Sequence, residues 1–410
     1  MNPLRKAWCR VFQTCFRIAL PVLPYREPTI LSGVEDVPGV LKEHGVGSVL
    51  LVTGPSLFSR GLVDGQLAAL EAEGISCAVY ADTVANPTTA NVEEAFALYR
   101  EHDCAAIIGF GGGSPMDCAK GVAARAAQPG KSLARMCGLL RVHARTPLLI
   151  AVPTTAGTGS EVTLAAVITD ADEHHKYVMN DFALIPDYAV LDYRLTLGLP
   201  PAVTATTGMD ALTHAVEAYI GRSTNAFTRS CAEEAIMLIR DNLQAAYADG
   251  TDAEARANMQ RAAYLAGNAF TRSYVGYVHG IAHSLGGRYG TPHGLANAVI
   301  LPHVLRAYGP AAYGPLADLA RMAELTTAWV DDAQAADDFI AWIDALNESM
   351  DIPKHLECIQ REDVAEMAAY ADAESNPLYP VPALMDADEL AALYGVIAGW
   401  DDAACAAAGE

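Results

Sequence analysis

Between residues 210 and 303 the chain places one aspartate and five of its eleven histidines in an order that suits a metal ion: Asp210, His214, His279, His283, His293 and His303. The first two stand in GMDALTHAVEAY, the others in VGYVHGIAHSLGGRYGTPHGLANAVILPH. Residues four apart share a helical face, so Asp210 with His214, and His279 with His283, can each present two donors to one ion. His293 follows Pro292 in a glycine-rich turn and can close the shell from a third segment. One carboxylate and three imidazoles suit a borderline divalent ion, Fe2+ or Zn2+. A lone histidine more often caps a helix or fills a core. Five within so short a span favour the metal.

Two polar turns add a second chemistry. Phe110-Gly111-Gly112-Gly113-Ser114-Pro115-Met116-Asp117 lies between an apolar strand and a helix. Glycine lets a backbone approach a ligand closely. Ser114 reads as the helix N-cap, Pro115 as the first helical residue and Asp117 as the partner in a capping-box-like arrangement. The N–H groups at such a helix start favour a pyrophosphate. Pro153-Thr154-Thr155-Ala156-Gly157-Thr158-Gly159-Ser160-Glu161 ends the next strand with hydroxyls and glycines. Ligands of open α/β sheets bind at such strand ends, so the pair suggests a dinucleotide laid across the sheet edge. Turns that satisfy only their own backbone are the plainer alternative for each.

The elements that must position these residues read as two regions. From residue 47 to about 153, GSVLLVTG, ISCAVYAD, CAAIIGF and PLLIAVP alternate with amphipathic helices. Continuous apolar strands between helices indicate a parallel sheet covered on both faces. A shorter β-rich stretch follows (AAVITD, KYVMN, YAVLD). Beyond Leu199-Pro200-Pro201, alanine-rich helical patterns run to the C-terminus. The expected domains are therefore 1–27, an amphipathic helical extension; 28–199, a dinucleotide-binding α/β domain; and 200–410, an all-helical metal-binding domain.

Composition narrows the class. A chain of 410 residues, 52% apolar and 19% charged, is globular and large enough for two cores. A formal charge of −22 leaves no basic field for phosphates, so nucleic acid is not an expected partner. Nine cysteines without a CxxC pair fit a reducing cytoplasm. No apolar run is long enough to span a bilayer. In the N-terminal segment Trp8, Val11, Phe12, Cys15, Ala19 and Val22 share one helical face, with Arg5, Lys6, Arg10, Gln13 and Arg17 off it. Contact of residues 5–23 with a membrane surface is open; packing on the protein's own body or on a second subunit is favoured.

GGGSPMDCAK, PTTAGTGSEVT, the Asp-x3-His pair and HGIAH…PHGLAN together resemble the iron-containing (group III) alcohol dehydrogenases, over a span from about residue 28 to NPLYPVPALMDADEL at 376–390. The resemblance implies a Rossmann-like N-terminal domain and an all-helical C-terminal domain, the dehydroquinate synthase-like fold, with NAD(P)(H) and a divalent metal meeting in the cleft. It makes Asp210, His214, His279 and His293 the metal ligands and His283 the histidine beside the nicotinamide. Gly112, Gly113 and Ser114, with Asp117 in the same turn, match the pyrophosphate loop; Asn86, Thr154, Thr155, Thr158, Val167 and Lys176 match other cofactor contacts. Phe270 and Val275 resemble pocket-lining positions, and His303 has no implied role.

One position departs from the family pattern. Many NAD-preferring members end the first strand with an aspartate that binds the ribose and repels a 2′-phosphate; here Gly54 stands in that place, so NADP(H) is slightly favoured, with NAD(H) admissible. Strand pattern alone nominates Asp82 instead. The implied reaction is hydride transfer between NAD(P)(H) and a small alcohol or aldehyde whose oxygen the metal polarises. His283 would relay the proton. A homodimer or larger assembly is expected. The rivals are a polyol dehydrogenase such as a glycerol dehydrogenase, a dehydroquinate synthase-like lyase, and a non-catalytic relative. The lyase would need basic residues near the metal, and the HGIAH…PHGLAN run offers only Arg288.

Overall fold

Strands form where apolar side chains run unbroken, and most lie at or near the places expected. They are β1 (Thr29–Leu31), β2 (Ser48–Val52), β3 (Ser76–Tyr80), β4 (Ala106–Gly111), β5 (Gly138–Leu139), β6 (Leu148–Pro153), β7 (Ala165–Asp170), β8 (His175–Asn180) and β9 (Tyr188–Val190). The structure, a computed structural model, describes residues 1–170 and 175–400, with the backbone alone at 170 and 175–177. Two compact units divide the chain: Pro24–Leu199, and Met1–Leu23 together with Pro200–Glu410.

In the first unit six strands form one parallel sheet in the order β1-β9-β6-β4-β2-β3. Its side chains alternate between two cores, because successive residues of a strand point to opposite faces. Leu50, Ile107 and Leu149 enter one core; Leu51, Ile108 and Ile150 enter the other. This is a Rossmann-like sheet with helices on both faces, among them α2 (Thr89–Glu101) and α3 (Gly113–Ala127). Two edge features escape pattern reading. Thr29–Leu31 is too short and too exposed to signal a strand, and Tyr188–Val190 joins the parallel sheet rather than the neighbouring hairpin. That hairpin, β7 antiparallel to β8, carries β5 on its edge as a second, small sheet.

The order of strands creates a ligand position. From β2 the chain continues to β3 on one flank, then returns to place β4 on the other. Where direction reverses, the loops leaving the two strands part and open a crevice at their carboxyl ends. Those loops carry Gly54 and Gly111–Ser114.

The second unit is helical among its described residues. It contains α1 (Pro3–Ala19), α4 (Pro201–Ile220), α5 (Ala253–Ser273), α6 (Tyr277–Tyr289), α7 (His293–Tyr308) and α8 (Val364–Ser375). Pro201 opens α4 at its first position, where the missing N–H costs nothing. Gly290, in the left-handed conformation, closes α6 and turns the chain through Thr291 and Pro292 into α7.

α1 packs on this unit, yet not by the expected face. Cys9, Gln13 and Leu20 are buried, whereas Leu4, Trp8, Val11, Ile18 and Val22 stay exposed. Hydrogen bonds from Arg5, Arg10 and Gln13 decide the orientation. Hydrophobic periodicity alone could not see polar anchors of that kind.

α7 begins pressed against α4, since a Cβ on Gly294 would run into the Thr206 backbone carbonyl. Replacing Gly294 with Ala is expected to lower stability by about 1–3 kcal/mol, the usual cost of overpacking. Urea unfolding followed by far-UV circular dichroism measures this; an unchanged midpoint would mean the two helices are not in close contact.

Candidate metal centre and cofactor turns

One turn of α4 separates Asp210 from His214, so both side chains leave the same face. α6 supplies His279, and His293 is the first residue of α7. Asp210, His214 and His279 are buried and His293 is half-buried, and each offers one donor atom within 4.8 Å of the others. The Asn297 amide Nδ2 marks where they converge: it donates to Asp210 Oδ1 at 2.6 Å and lies 3.2 Å from Nε2 of both His279 and His293. Burial pushes the Asp210 carboxyl up to about 6, against the pull of His279 and Asn297. A cation at the point of convergence would hold that carboxylate ionised.

The candidate ligands are held by residues that the sequence pattern does not single out. Glu217, one turn beyond His214, is buried, and its Oε2 lies 2.6 Å from His279 Nδ1. The same carboxylate accepts the backbone N–H of Gly276 at 2.8 Å and of Val278 at 2.9 Å, at the start of α6. A carboxylate on Nδ1–H fixes the imidazole tautomer and leaves the Nε2 lone pair for a metal. Phe270 stacks on His214, with centroids 4.1 Å apart and planes at 13°. That places one of the two pocket candidates against a ligand. Val275, half-buried, precedes α6. Glu217 stands three residues past His214 and Asn297 four past His293, a spacing that puts each on the face of its helix nearest the group without naming its partner.

His283 stands beside this group but outside it, its ring 6.0 Å from that of His279 and 5.3 Å from that of His293. Its Nδ1 is 2.6 Å from Glu374 Oε1, and Tyr379 Oη donates to the same oxygen at 2.6 Å. Burial opposes ionisation of Glu374, but the electrostatic pull of His283 and the hydrogen bonds with His283 and Tyr379 outweigh it and hold the carboxyl below its ordinary range. His303 turns elsewhere, to the Lys354 carbonyl at 3.2 Å and the His355 ring at 5.9 Å.

In the other unit the two polar turns touch. β4 and β6 are paired, with Gly111 opposite Pro153, and Thr154 N–H donates to the Gly111 carbonyl at 2.9 Å. A Cβ on Gly112 would meet Thr155 Oγ1 at 3.3 Å, and one on Gly113 would meet Thr158 Cγ2 at 2.9 Å. Glycine at both positions lets the two turns lie this close. The capping expectation needs correction. Gly112, in extended conformation, is the N-cap of α3, and Ser114 already lies inside the helix. Its Oγ instead accepts the N–H of Asn86, which sits at φ 57°. Asp117 likewise does not cap: its carboxylate accepts from Ser160 Oγ at 2.7 Å and Val167 N at 3.0 Å, tying the second turn and β7 to α3. Gly54 caps the short Pro55–Ser59 helix after β2, and Asp82 is exposed after β3. Lys176 lies on β8, its side chain outside the described residues.

Comparison with known proteins identifies the family. Residues 29–193 match the family model described as iron-containing alcohol dehydrogenase, and residues 204–397 match that of the Fe-containing alcohol dehydrogenase family, C-terminal. The chain belongs to the iron-containing alcohol dehydrogenase family. It is 40% identical over 354 residues to a 1,3-propanediol dehydrogenase of Klebsiella pneumoniae, covering 85% of this chain and 91% of that protein. A solved 1,3-propanediol oxidoreductase superposes with a TM-score of 0.87 at 37% identity, covering 91% and 99% of the two chains. Sulfoacetaldehyde reductase from Bifidobacterium kashiwanohense, solved in complex with NAD+, gives 0.80 at 28% identity, covering 91% and 98%.

As a member of that family the chain is a metal-dependent oxidoreductase of alcohols and aldehydes. The donor set fits the family's metal: one carboxylate and three imidazoles, with the Asn297 amide hydrogen-bonded to that carboxylate. Replacing His279 with Ala is expected to abolish metal binding and turnover together, and an active metal-free variant would contradict the assignment. Replacing Glu217 with Gln should weaken metal affinity about 10–100-fold while leaving all four donors in place. Competition with a chelator measures it; unchanged affinity would show that Glu217 does not orient His279.

Proposed function

We propose that this enzyme transfers hydride between NADP(H) or NAD(H) and a small alcohol or aldehyde, with Asp210, His214, His279 and His293 as metal ligands. What carries this is the four-donor group within 4.8 Å. When bound, the metal polarises the substrate oxygen as a Lewis acid and the nicotinamide accepts or delivers the hydride. The rest falls to the chain's own residues.

His283 is the proton relay. Its Nδ1 is engaged by Glu374, so Nε2 is the nitrogen that takes the hydroxyl proton in oxidation and returns it in reduction. Gly112, Gly113 and Ser114 offer the pyrophosphate the N-terminus of α3. Thr154, Thr155 and Thr158 would add hydroxyls to it, and Asn86, Val167 and Lys176 complete the proposed cofactor contacts. Phe270, flat against His214, gives the pocket an apolar wall and Val275 extends it, which suits short aliphatic or aromatic aldehydes. Asp117 acts on this site through Ser160 and Val167 rather than by touching the cofactor.

NADP(H) is the slightly favoured cofactor because Gly54 puts no carboxylate after β2. No helix among the described residues is long and apolar enough to cross a membrane, and none of the eight described cysteines is in a disulfide. Both observations support a cytoplasmic enzyme. The exposed apolar stripe of α1 supports self-association as a dimer or larger.

Replacing His283 with Asn is expected to lower kcat about 10²–10⁴-fold, the usual share of general acid–base catalysis, with metal content unchanged. Wild-type kcat would exclude the relay. Replacing Gly54 with Asp should shift the ratio of kcat/KM towards NADH, by at least about tenfold, or about 1.4 kcal/mol. Steady-state assays with both cofactors decide it, and an unmoved ratio would remove position 54 from the cofactor site.

A further inference from the structure

The partners of His283 are themselves held from a distant part of the sequence. Glu374 lies in the last turn of α8, and Tyr379 follows in the irregular segment Asn376-Pro377-Leu378-Tyr379-Pro380. α1 grips that stretch. Gln13, 5% exposed, donates through Nε2 to the carbonyls of Tyr379 at 2.6 Å and Pro377 at 3.2 Å. Arg10 donates to the carbonyls of Val381 and Pro382, each at 2.8 Å, and to Gln13 Oε1 at 2.8 Å. Arg5 forms a two-pronged pair with Asp372 at 2.7 and 2.8 Å. Phe16 meets Tyr274 edge-on at 5.1 Å, two residues before Gly276 and the entry to α6.

A loop without regular hydrogen bonds needs its carbonyls satisfied from outside. Here Gln13 and Arg10 satisfy four, at positions 377, 379, 381 and 382, and the Arg222 N–H donates to that of Pro380. The Tyr379 side chain is thereby fixed on Glu374, and Glu374 on His283.

We propose that α1 is a brace: through Gln13 and Arg10 it immobilises the 377–382 segment, so that Tyr379 and Glu374 hold the His283 ring in one tautomer and one orientation. Gln13, Tyr379 and Glu374 are positioning residues, and none touches substrate. The inference rests on His283 being the relay. It gives the N-terminal helix a part in turnover although its bonds to this segment lie on the face turned away from the exposed apolar stripe.

The test is a double-mutant cycle on the full chain, with Gln13→Leu, Glu374→Gln and both together. Each single variant is expected to lose about tenfold to a hundredfold in kcat with KM nearly unchanged, as a small misplacement does. The double variant should lose no more than Glu374→Gln alone. In the metal-free protein at alkaline pH, ¹⁵N spectra should show His283 as the Nδ1–H tautomer in the wild type and as a mixture in Gln13→Leu. Lys6→Gln, exposed on α1 and outside both the brace contacts and the apolar stripe, should match the wild type in both measurements. If Gln13→Leu does not fold, Arg10→Met, which removes two carbonyl bonds, takes its place with the same expectation. Losses that add in the double variant, or a wild-type tautomer in both brace variants, overturn the brace while His283→Asn still reports on the relay. Full activity of His283→Asn overturns both.

Discussion

Three donors from one short stretch of α6 meet the single carboxylate of Glu217: the N–H of Gly276, the N–H of Val278 and Nδ1 of His279. A buried carboxylate is costly unless its oxygens are engaged, and the start of a helix engages them with N–H groups and a favourable dipole. Because Glu217 sits on α4, seven residues after Asp210, this contact fixes the height and rotation of α6 relative to the helix that carries the first two ligands. His279 cannot then face any way but towards Asp210 and His214. The remaining ligand enters through the close approach of Gly294 to α4. The four-donor group is thus a consequence of two helix starts, those of α6 and α7, registered against one rod, α4.

The same economy of anchors appears in the sheet unit. Asp117 on α3 takes both Ser160 Oγ and Val167 N, so the threonine-rich turn is pinned to the helix whose N-terminus lies beside it. Lys120, one turn further along α3, is buried and donates to the Thr163 and Ala165 carbonyls at 2.9 and 2.7 Å. Burial lowers that ammonium to about 8, with Asp117 and Glu161 opposing. The helix therefore offers N–H groups at one end while its body holds the neighbouring turn in contact with them.

What the sequence made legible was whatever depends on local period. The Asp210–His214 and His279–His283 pairs repeat at four residues, the inner strands of the parallel sheet are unbroken apolar runs, and each appears where its pattern puts it. His303 was already set apart, and the reason is geometric. Ten residues after His293 on the same helix bring it to a different face, where it meets Lys354. The residues that were not legible act across long separations. Glu217 reaches a histidine 62 positions away, and Glu374 one 91 positions away. A lone acid in an alanine-rich helix carries no mark of such a partner. The shift of the α3 cap from Ser114 to Gly112 has the same origin: Ser114 finds Asn86 from another loop, and local capping rules do not include that competitor. α1 was read by its apolar stripe, whereas polar side chains paired with backbone carbonyls chose the face that packs.

The central claim is that Asp210, His214, His279 and His293 hold one ion. Anomalous diffraction at the iron and zinc absorption edges, from crystals of the full chain grown with the metal, tests it most directly. The expected result is a single strong peak about 2.0–2.2 Å from one donor atom of each of the four residues, with His283 and His303 outside its shell. A peak elsewhere, or one in which His283 replaces any of the four, would contradict it.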